Sequence, residues 1–322
     1  MQSSPNPEDQ TRNSDSVEII RGLQAKNKHI SSRFLYDAEG SELFRQIMKM
    51  PEYYLYEAEY EILRDRGGDI HRALPFQKPY SVVEFGAGDG SKVTELMKHL
   101  SKSPLCTRYC PVDISAEATR MIRSRLKTSL PELKVEAVTG NYFENMPALI
   151  PQEEAVLLLF MGSNIGNFSS EKILGLMKKF GESLQSGDAL LIGFDLKKHP
   201  GTIRRAYDDR AGITRAFNLN LLKRFNRELG TDFHPDQFDF YSCYHPESGE
   251  VRSYLVSLCR QEVRFPEANE KIIFQKNEPI HTEISKKFDF IEIETLVSSA
   301  GFTILDHWTD QREYYTDVLC VR

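Results

Sequence analysis

The sequence predicts an α/β protein with a mostly parallel sheet, helices on both faces of that sheet, and an inserted α+β domain. From Ser81 to about residue 196, short apolar strand-like runs alternate with helical runs, which is typical of a parallel sheet covered by helices. From about 197 to 286 a long helical run precedes alternating strands, and the chain then ends with one helix and a strand pair. We therefore expect the sheet to resume after the insertion.

Each element is predicted from its periodicity and flanking residues. The expected strands of the sheet are 81–85, 107–112, 133–138, AVLLLFMG (155–162) and ALLIGFDL (189–196), and its expected helices are 91–100, 116–130 and 170–184. A helix ended by Gly301 and the strands FTILDHWTD and YYTDVLCVR close the chain. The insertion is expected to contain one helix over 204–229 and strands within VRSYLVSLCRQEVRF and KIIFQKNEPIHTEIS.

The N-terminal segment is predicted to differ from the sheet region. Residues 1–15 are rich in Ser, Asn, Pro and acids and are expected to be disordered. A short helix is expected over 17–30, a second from Gly40 and Ser41, and a third after Pro51. These patterns divide the chain into two domains, 16–58 with 197–286, and 59–196 with 287–322.

Composition excludes several classes of function. The 322 residues carry a formal net charge of −6, which disfavours binding to nucleic acid because phosphate backbones require clustered Lys and Arg. No apolar run is long enough to span a bilayer, and the polar N-terminus lacks a secretory signal. The five cysteines and eight histidines are dispersed, so we expect reduced thiols and no metal. We expect a cytoplasmic monomer without a membrane partner.

The strongest chemical signal is VVEFGAGDGSKV, where a buried strand reaches Glu84 and runs into three glycines before a helix. Glycine permits positive φ and lets backbone amides approach a ligand at the carboxyl edge of a sheet, beside a helix N-terminus. The expected ligand is a nucleotide-like cofactor. The glycines are Gly86, Gly88 and Gly90. Glu84 before them and Lys92 in the following helix are assigned to the same binding set.

The spacing of these residues distinguishes between cofactors. A dinucleotide fingerprint requires glycine at position 91, which is Ser91, whereas E-x-G-x-G-x-G resembles the turn of class I S-adenosylmethionine-dependent methyltransferases, with their Rossmann-like sheet. Asp113 ends the next strand and can accept hydrogen bonds from ribose hydroxyls. Asn141 and Tyr142 follow the third strand and are expected to contact the adenine amine and ring face. S-adenosylmethionine is therefore the expected methyl donor.

A polar loop, FMGSNIGNF, follows the fourth strand at the edge where class I acceptors commonly lie. Gly162 and Asn167 belong to this loop and suit a small zwitterion; the alternative is a turn in which Asn167 caps the next helix. The loop is not the [ND]-P-P-[YF] motif of enzymes that methylate base amines. An amine acceptor must bind unprotonated, so polar but neutral neighbours are expected near its nitrogen.

Several stretches in order resemble the histidine Nα-methyltransferases of ergothioneine biosynthesis, over nearly the whole chain after about residue 20. The matching stretches are FLYDAEGSELF, MPEYYLYEAEYEIL, EFGAGDGSK, MGSNIGNF, AYDD with FNLNLL and NREL, and HTEISKKF. The resemblance implies methylation of the α-amino nitrogen of L-histidine to its trimethylated betaine, hercynine.

The resemblance also implies which residues bind histidine. The α-carboxylate and α-amine are assigned to Tyr53, Asn167 and Tyr207, with Tyr36 near the amine; Tyr36 and Asn167 are the expected catalytic residues. Aromatic faces such as Tyr36 and Phe44 suit a growing quaternary ammonium. The imidazole is assigned to Glu283 and Ser285, which share one face of a strand because they are two residues apart.

Two positions differ from the family pattern. Ser253 stands where a methionine is expected beside the substrate ring, which makes the pocket larger and more polar, and Asn141 stands where members often have an acid. Glu283 favours imidazole, but the first difference leaves another amino acid or an indole amine open as the acceptor. A binding module that retains the donor site without turnover is the alternative from another class.

Overall fold

The computed structural model describes residues 7–322, with side chains from Ser14 onward. Within these residues there are ten α-helices and twelve β-strands. The helices are α1 Pro7–Gln24, α2 Ala38–Ile47, α3 Tyr54–Ala73, α4 Ser91–Leu100, α5 Ala116–Ser129, α6 Met146–Leu149, α7 Ser170–Ser183, α8 Pro200–Tyr207, α9 Ile213–Leu229 and α10 Phe290–Ser299. The strands are β1 Tyr80–Phe85, β2 Cys106–Asp113, β3 Val138–Thr139, β4 Ala155–Phe160, β5 Ala189–Asp195, β6 Phe238–His245, β7 Glu250–Ser257, β8 Gln261–Phe265, β9 Glu270–Phe274, β10 Pro279–Lys286, β11 Thr303–Thr309 and β12 Tyr315–Val321.

The chain divides into two compact units. We call Tyr54–Lys198 with Lys286–Arg322 the sheet unit, and Met1–Tyr53 with His199–Ser285 the insertion unit, because its second segment interrupts the sheet unit in sequence. Among the described residues, no helix has both the length and the apolar character that crossing a membrane requires.

The sheet unit contains a seven-stranded sheet in the order β11-β12-β5-β4-β1-β2-β3. The pairs β1 with β2, β1 with β4, β4 with β5 and β2 with β3 are parallel. Strand β12 is antiparallel to both β5 and β11. The prediction of a mostly parallel sheet that resumes after residue 286 is therefore confirmed.

Alternation along the central strands explains why both faces of the sheet are covered. Successive side chains of a strand point to opposite faces, so Val82 packs in one apolar cluster, with residues of α3, α4 and α5. Val83 packs in the other, with residues of α7 and α10. Strands buried on both faces read as continuous apolar runs, which is the pattern in β4.

The insertion unit has its own core. Strands β10, β7 and β6 form a three-stranded sheet, and β8 pairs with β9. Helix α9 contributes Phe217, Leu221 and Phe225 to an apolar cluster that also includes Leu255 of β7. Strand β6, which pairs antiparallel with β7 along its whole length, was not predicted from the sequence.

Three predicted elements after the N-terminal helix were wrong in their bounds. The helix expected over 204–229 is divided into α8 and α9. Gly212, with φ of 74°, interrupts the helical backbone directly before α9, and the Asp209 carboxylate accepts hydrogen bonds from the first two amides of α9, those of Ile213 (2.9 Å) and Thr214 (2.8 Å). The strand expected over 133–138 is reduced to β3 and an isolated bridge at Val135. Helix α2 begins after Asp37, whose side chain caps it, and not at Gly40.

The expected disorder of residues 1–15 falls partly outside the described residues. From Pro7 the structure has helix α1, which continues to Gln24. The helix expected over 17–30 therefore starts and ends earlier than predicted.

Asp195, at the end of β5, is the centre of a buried charged cluster in the sheet unit. Tyr54 Oη donates to both carboxylate oxygens at 3.0 Å, and Lys198 Nζ and Lys287 Nζ lie 2.5 Å and 2.7 Å from them. Tyr54, Lys198 and Lys287 are at, or one residue from, the three points where the chain passes between units. Asp195 thus ties these three chain segments to the sheet.

Candidate active site

The glycine turn lies between β1 and α4. Gly86, Gly88 and Gly90 have φ of 73°, 58° and 72°, a left-handed region that glycine adopts without the cost that other residues incur. A β-carbon at Gly90 would overlap the side chain of Ile122, whereas one at Gly88 would meet no atom within 4 Å. The turn is therefore closed at Gly90 by packing and open at Gly88 for a ligand.

This difference predicts opposite results for two alanine substitutions. We expect Gly90→Ala to destabilise the fold by about 2 kcal/mol or more, because strain and overlap add. Gly88→Ala is expected to cost about 1 kcal/mol of stability and to weaken donor binding, because its methyl group occupies the open space. Chemical denaturation and calorimetric titration with the donor measure the two effects. A larger stability loss for Gly88→Ala than for Gly90→Ala would contradict this description of the turn.

Asp113 ends β2 beside the glycine turn. Its Oδ2 accepts a hydrogen bond from the amide of Gly88 at 3.0 Å and its Oδ1 from the amide of Ser115 at 2.8 Å. The side chain is half-buried, so lone pairs remain for further donors such as ribose hydroxyls. Asp113 therefore holds the turn and also presents an accessible carboxylate.

Glu84, the other acid predicted for the donor, has a different environment. It is 4% exposed and accepts a hydrogen bond from Tyr109 Oη beneath the turn. Burial, together with the charges of Glu59 and Asp113, raises its pKa to about 8, although Tyr109 and Lys92 oppose the shift. The Glu84 carboxyl group is therefore buried, and it supports the turn through its hydrogen bond with Tyr109.

The raised pKa of Glu84 makes stability depend on pH. Its folded pKa of about 8 exceeds the ordinary value of 4.5, so the folded protein binds more protons than the unfolded chain between these values. The stabilising contribution is complete below the lower value and is lost as pH rises through the higher one. Without donor, we expect the wild type to lose about 2 to 4 kcal/mol relative to Glu84→Gln between about pH 5 and pH 8. Urea unfolding of both proteins at both pH values tests this. An equal change in the free energy of unfolding of the wild type and of Glu84→Gln between the two pH values would refute it.

Asn141 and Tyr142 follow β3, as predicted for adenine contacts. Asn141 Nδ2 donates to Glu144 at 2.8 Å, and its Oδ1 accepts from the amide of Phe143 at 3.1 Å. The ring of Tyr142 is stacked on Phe85 with centroids 4.9 Å apart and planes 5° apart. One face of the Tyr142 ring is therefore already covered, and Asn141 is oriented by its own turn.

The polar loop after β4 has an unusual backbone. Gly162 and Ser163 have φ of 78° and 55°, and Asn164–Asn167 form a 3-10 helix. The alternative role of Asn167 as a helix cap does not hold, since α7 is preceded by Ser169 as its N-cap residue. Asn167 is half-buried, and its amide group is not used to start the helix.

In the insertion unit, the predicted substrate residues form an aromatic cluster. The Tyr36 ring lies 5.4 Å from Phe44 and 5.6 Å from Phe217, and Tyr53 lies 6.2 Å from both Phe44 and Tyr207. All four contacts are edge-to-face, a favourable geometry for aromatic pairs.

Tyr36 keeps 42% of its surface accessible. The pKa of its phenol is nevertheless well above the ordinary value, first because surrounding protein desolvates the phenolate and then because Glu283, Tyr53 and Tyr207 disfavour a second negative charge. The Tyr36 phenol therefore stays neutral and offers a hydrogen-bond donor and a ring face.

The residues predicted for the imidazole lie on β10. Tyr207 Oη and Ser285 Oγ are 2.8 Å apart and hydrogen-bonded, and Glu283 is half-buried on the same strand. On the neighbouring strand β7, Ser253 is 1% exposed, and its Oγ has no hydrogen-bond partner within residues 7–322. The structure thus brings Tyr207 and Ser285 together directly and leaves Ser253 with an unused hydroxyl.

The predicted residues fall into two sets. The donor set and the loop residues Gly162 and Asn167 belong to the sheet unit, while the remaining acceptor residues belong to the insertion unit. Phe217, which contacts both Tyr36 and Phe44, was not predicted from the sequence. Glu59 and Tyr315, which bind the loop backbone, were not predicted either. Phe217 and Glu59 lie within the stretches FNLNLL and MPEYYLYEAEYEIL, which carry the family resemblance. That placement was the one sequence feature that could have marked them as candidate site residues.

Comparisons with known proteins agree with this geometry. Residues 15–322 match the model of the family described as histidine-specific methyltransferase, SAM-dependent. The chain is 33% identical to the histidine N-alpha-methyltransferase of Mycolicibacterium smegmatis, over 95% of this chain and 94% of that protein. It is 29% identical to ergothioneine biosynthesis protein 1 of Schizosaccharomyces pombe, over 71% of this chain and 31% of that protein.

Among solved structures, the mitomycin 7-O-methyltransferase MmcR matches with a TM-score of 0.50 and 13% identity, over 98% of this chain and 69% of that one. This likeness shows a shared methyltransferase fold. Together with the open glycine turn and Asp113, the family match identifies S-adenosylmethionine as the methyl donor. The chain belongs to the family of histidine-specific, S-adenosylmethionine-dependent methyltransferases.

Proposed function

We propose that the protein methylates the α-amino nitrogen of L-histidine three times to give Nα,Nα,Nα-trimethylhistidine, as a step of an ergothioneine-type pathway. The observation that carries this proposal is that Ser285, which is hydrogen-bonded to Tyr207 of α8, lies two residues from Glu283 on strand β10, in a member of this family. These groups supply neutral and anionic partners for a zwitterion that carries an imidazole.

The donor site uses residues of the sheet unit. S-adenosylmethionine supplies a methyl group on a positively charged sulfur. The open space at Gly88 and the accessible carboxylate of Asp113 fit its ribose. In this proposal Gly86, Gly90 and Glu84 shape the turn, Lys92 binds the carboxylate of the donor, and Asn141 and Tyr142 contact its adenine.

The acceptor site uses mainly residues of the insertion unit. Tyr53, Tyr207 and Asn167 bind the α-carboxylate and α-amine through neutral donors, which avoids adding charge beside the nitrogen. Glu283 and Ser285 bind the imidazole, and Ser253 contributes its free hydroxyl to the same ring. The neutral Tyr36 and Phe44 present aromatic faces to the ammonium as methyl groups accumulate.

The reaction requires an unprotonated amine held in line with the methyl group at about 3 to 3.5 Å. The neutral Tyr36 phenol and the Asn167 amide suit this requirement, because neither places a negative charge beside the nitrogen that would stabilise the ammonium form. Gly162, at the start of the polar loop, belongs to the same acceptor set in this proposal. The residues therefore position the acceptor without supplying a strong base.

An amino-acid panel tests this proposal. The purified protein is incubated with donor and each common amino acid, and each product is examined by mass spectrometry for one to three added methyl groups. Histidine is expected to react with the highest kcat/KM. Turnover of tryptophan or another amino acid in preference to histidine would overturn the substrate assignment, and donor binding without turnover of any acceptor would favour a binding module.

We further propose that the protein acts as a monomer in the cytoplasm. All five cysteines are unpaired, which fits a reducing compartment. Size-exclusion chromatography with light scattering tests the oligomeric state.

A further inference from the structure

Helix α3 buries one acid completely, Glu59, on the side of the sheet unit that carries α4. Its Oε1 accepts hydrogen bonds from the amide of Gly162 at 2.7 Å and from Tyr315 Oη at 2.8 Å. Its Oε2 forms an ion pair with Lys92 Nζ. A buried carboxylate is costly unless it is paired and hydrogen-bonded, and Glu59 has both kinds of partner.

The two oxygens of Glu59 therefore face different parts of the donor and acceptor machinery. Lys92 is in the first turn of α4, directly after the glycine turn. Gly162 begins the polar loop after β4. A single carboxylate thus connects the donor side and the acceptor side within one unit.

Tyr315 extends this connection along the loop. Its hydroxyl donates to Glu59 and accepts a hydrogen bond from the amide of Ser163 at 2.6 Å. Both loop residues have positive φ, a conformation that costs a serine about 1 to 2 kcal/mol. Glu59 and Tyr315 accept hydrogen bonds from the amides of these two residues and so maintain the loop in this backbone conformation.

Strand β5 leaves room for this arrangement at Gly193. A β-carbon at that position would overlap Tyr315 Oη and Glu59 Oε1 and would lie 3.0 Å from Asp317 Oδ1. Three oxygen-bearing side chains therefore converge on one glycine of the central sheet. The absence of a side chain at Gly193 is what allows a polar cluster inside an otherwise apolar face.

Glu59, and not Asp317, is the counter-ion of Lys92. Asp317 is fully buried, and neither of its oxygens has a hydrogen-bond partner within the described chain. Burial and the charge of Glu59 raise the pKa of Asp317 well above its ordinary value, against the opposing effect of Lys92. Burial alone would lower the pKa of Lys92, but its pair with Glu59 raises it above normal.

We propose that Glu59 is a positioning residue: it holds Lys92 on the donor side and the amide of Gly162 on the acceptor side at a fixed spacing, and Tyr315 extends the link to Ser163. This inference rests on the proposed function, because its two ends are residues assigned there to donor and acceptor. Glu59 acts through these groups and need not touch either ligand.

Two variants separate the two ends of the link. Glu59→Gln keeps an oxygen for Gly162 and Tyr315 but turns an amide N–H group toward the Lys92 ammonium. We expect it to raise the donor Kd about 10-fold and to lower kcat about 10- to 100-fold. Tyr315→Phe removes the acceptor for Ser163 and one of the two hydrogen bonds to Glu59 Oε1, but it leaves the pair between Glu59 and Lys92 in place. It is therefore expected to lower kcat about 10-fold with the donor Kd unchanged.

Matched controls measure the cost of the same two kinds of substitution elsewhere in the sheet unit, at a half-buried glutamate and at a buried tyrosine. Glu154→Gln alters a glutamate that pairs with Arg108 at 2.7 Å. Glu154 directly precedes β4, at the end of that strand opposite to the polar loop. Tyr80→Phe alters a buried tyrosine at the start of β1. Both controls are expected to keep wild-type donor affinity and kcat.

A double-mutant cycle with Lys92→Met distinguishes positioning from general stabilisation. If Glu59 acts through Lys92, Glu59→Gln changes the donor Kd by less than about 3-fold once Lys92 is methionine. Independent effects on the donor Kd would overturn the link to Lys92. Unchanged kcat in Tyr315→Phe would overturn the link to the loop, and it remains decisive if Glu59→Gln fails to fold.

These outcomes are separate from the proposed function. Calorimetry with the donor requires no acceptor, and kcat is measured with whichever amino acid the wild type methylates. A wild-type protein inactive on histidine refutes the substrate assignment, whereas active wild-type protein with unaffected variants refutes only the role of Glu59.

Discussion

Replacing Glu283 with alanine is expected to raise the KM for L-histidine about 100-fold and to leave the Kd for S-adenosylmethionine unchanged. A hydrogen bond between a carboxylate and an imidazole N–H is worth about 1.5 to 3 kcal/mol, and each 1.4 kcal/mol is about tenfold in affinity. Glu283 is on β10 in the insertion unit, while the glycine turn and Asp113 are in the sheet unit. The loss should therefore be confined to the acceptor.

Glu262→Ala is the matched control for this prediction. Glu262 is an exposed glutamate on β8 of the same unit, paired with Lys271 at 2.8 Å, and exposed pairs of this kind contribute little to stability. Its substitution should leave the KM for histidine unchanged. A weaker donor affinity in Glu283→Ala, or an equal rise in KM in Glu262→Ala, would show that Glu283 does not recognise the imidazole.

Asp113→Ala is expected to raise the donor Kd about 100-fold whatever the acceptor. The substitution removes the acceptors for ribose hydroxyls, each hydrogen bond to a charged group being worth about 1.5 to 3 kcal/mol. It also releases the Gly88 amide, which Asp113 Oδ2 holds at 3.0 Å. Calorimetric titration without acceptor measures this loss directly.

The variant Asp113→Asn refines this prediction, because it keeps one side-chain oxygen that can hold a backbone amide. Its donor Kd is expected to rise about 10-fold, between the wild type and Asp113→Ala. Asp306→Ala, at an exposed position on β11, serves as the control and should bind the donor normally. Wild-type affinity in Asp113→Ala would remove Asp113 from the donor site.

Elements with a local signal were predicted well. Helix α4 was expected over 91–100 and spans Ser91–Leu100, because Gly90 precedes it and its apolar residues recur with helical spacing. The parallel strands β1, β4 and β5 are buried on both faces, so each is a short apolar run between turn residues. Local sequence alone is sufficient in such cases.

Elements that depend on one side-chain bond or one neighbour were harder to predict. The separation of α8 from α9 depends on Gly212 and on Asp209, whose carboxylate binds the first two amides of α9, within a continuous helical pattern. Strand β3 is an edge strand that pairs only with β2, over two residues. Neither feature changes the hydrophobic periodicity on which the predictions relied.

The candidate site shows the same division between local and distant contacts. Three glycines at the end of a strand indicate a ligand-binding turn from the sequence alone. In contrast, the hydrogen bond from Tyr109 to Glu84 joins residues 25 positions apart, and the hydrogen bond from Tyr315 to Glu59 joins residues 256 positions apart. Such contacts form only when the chain folds, so Glu59 and Tyr315 could not be assigned from spacing.

The central claim is that this chain transfers methyl groups to the α-amino nitrogen of histidine. The most direct measurement incubates the purified protein with L-histidine and donor carrying an isotopically labelled methyl group, then locates the label in the product by NMR. The label is expected on the α-nitrogen, rising to three equivalent methyl groups at completion. Label on an imidazole nitrogen, or unlabelled histidine after prolonged incubation with a donor-binding protein, would contradict the claim.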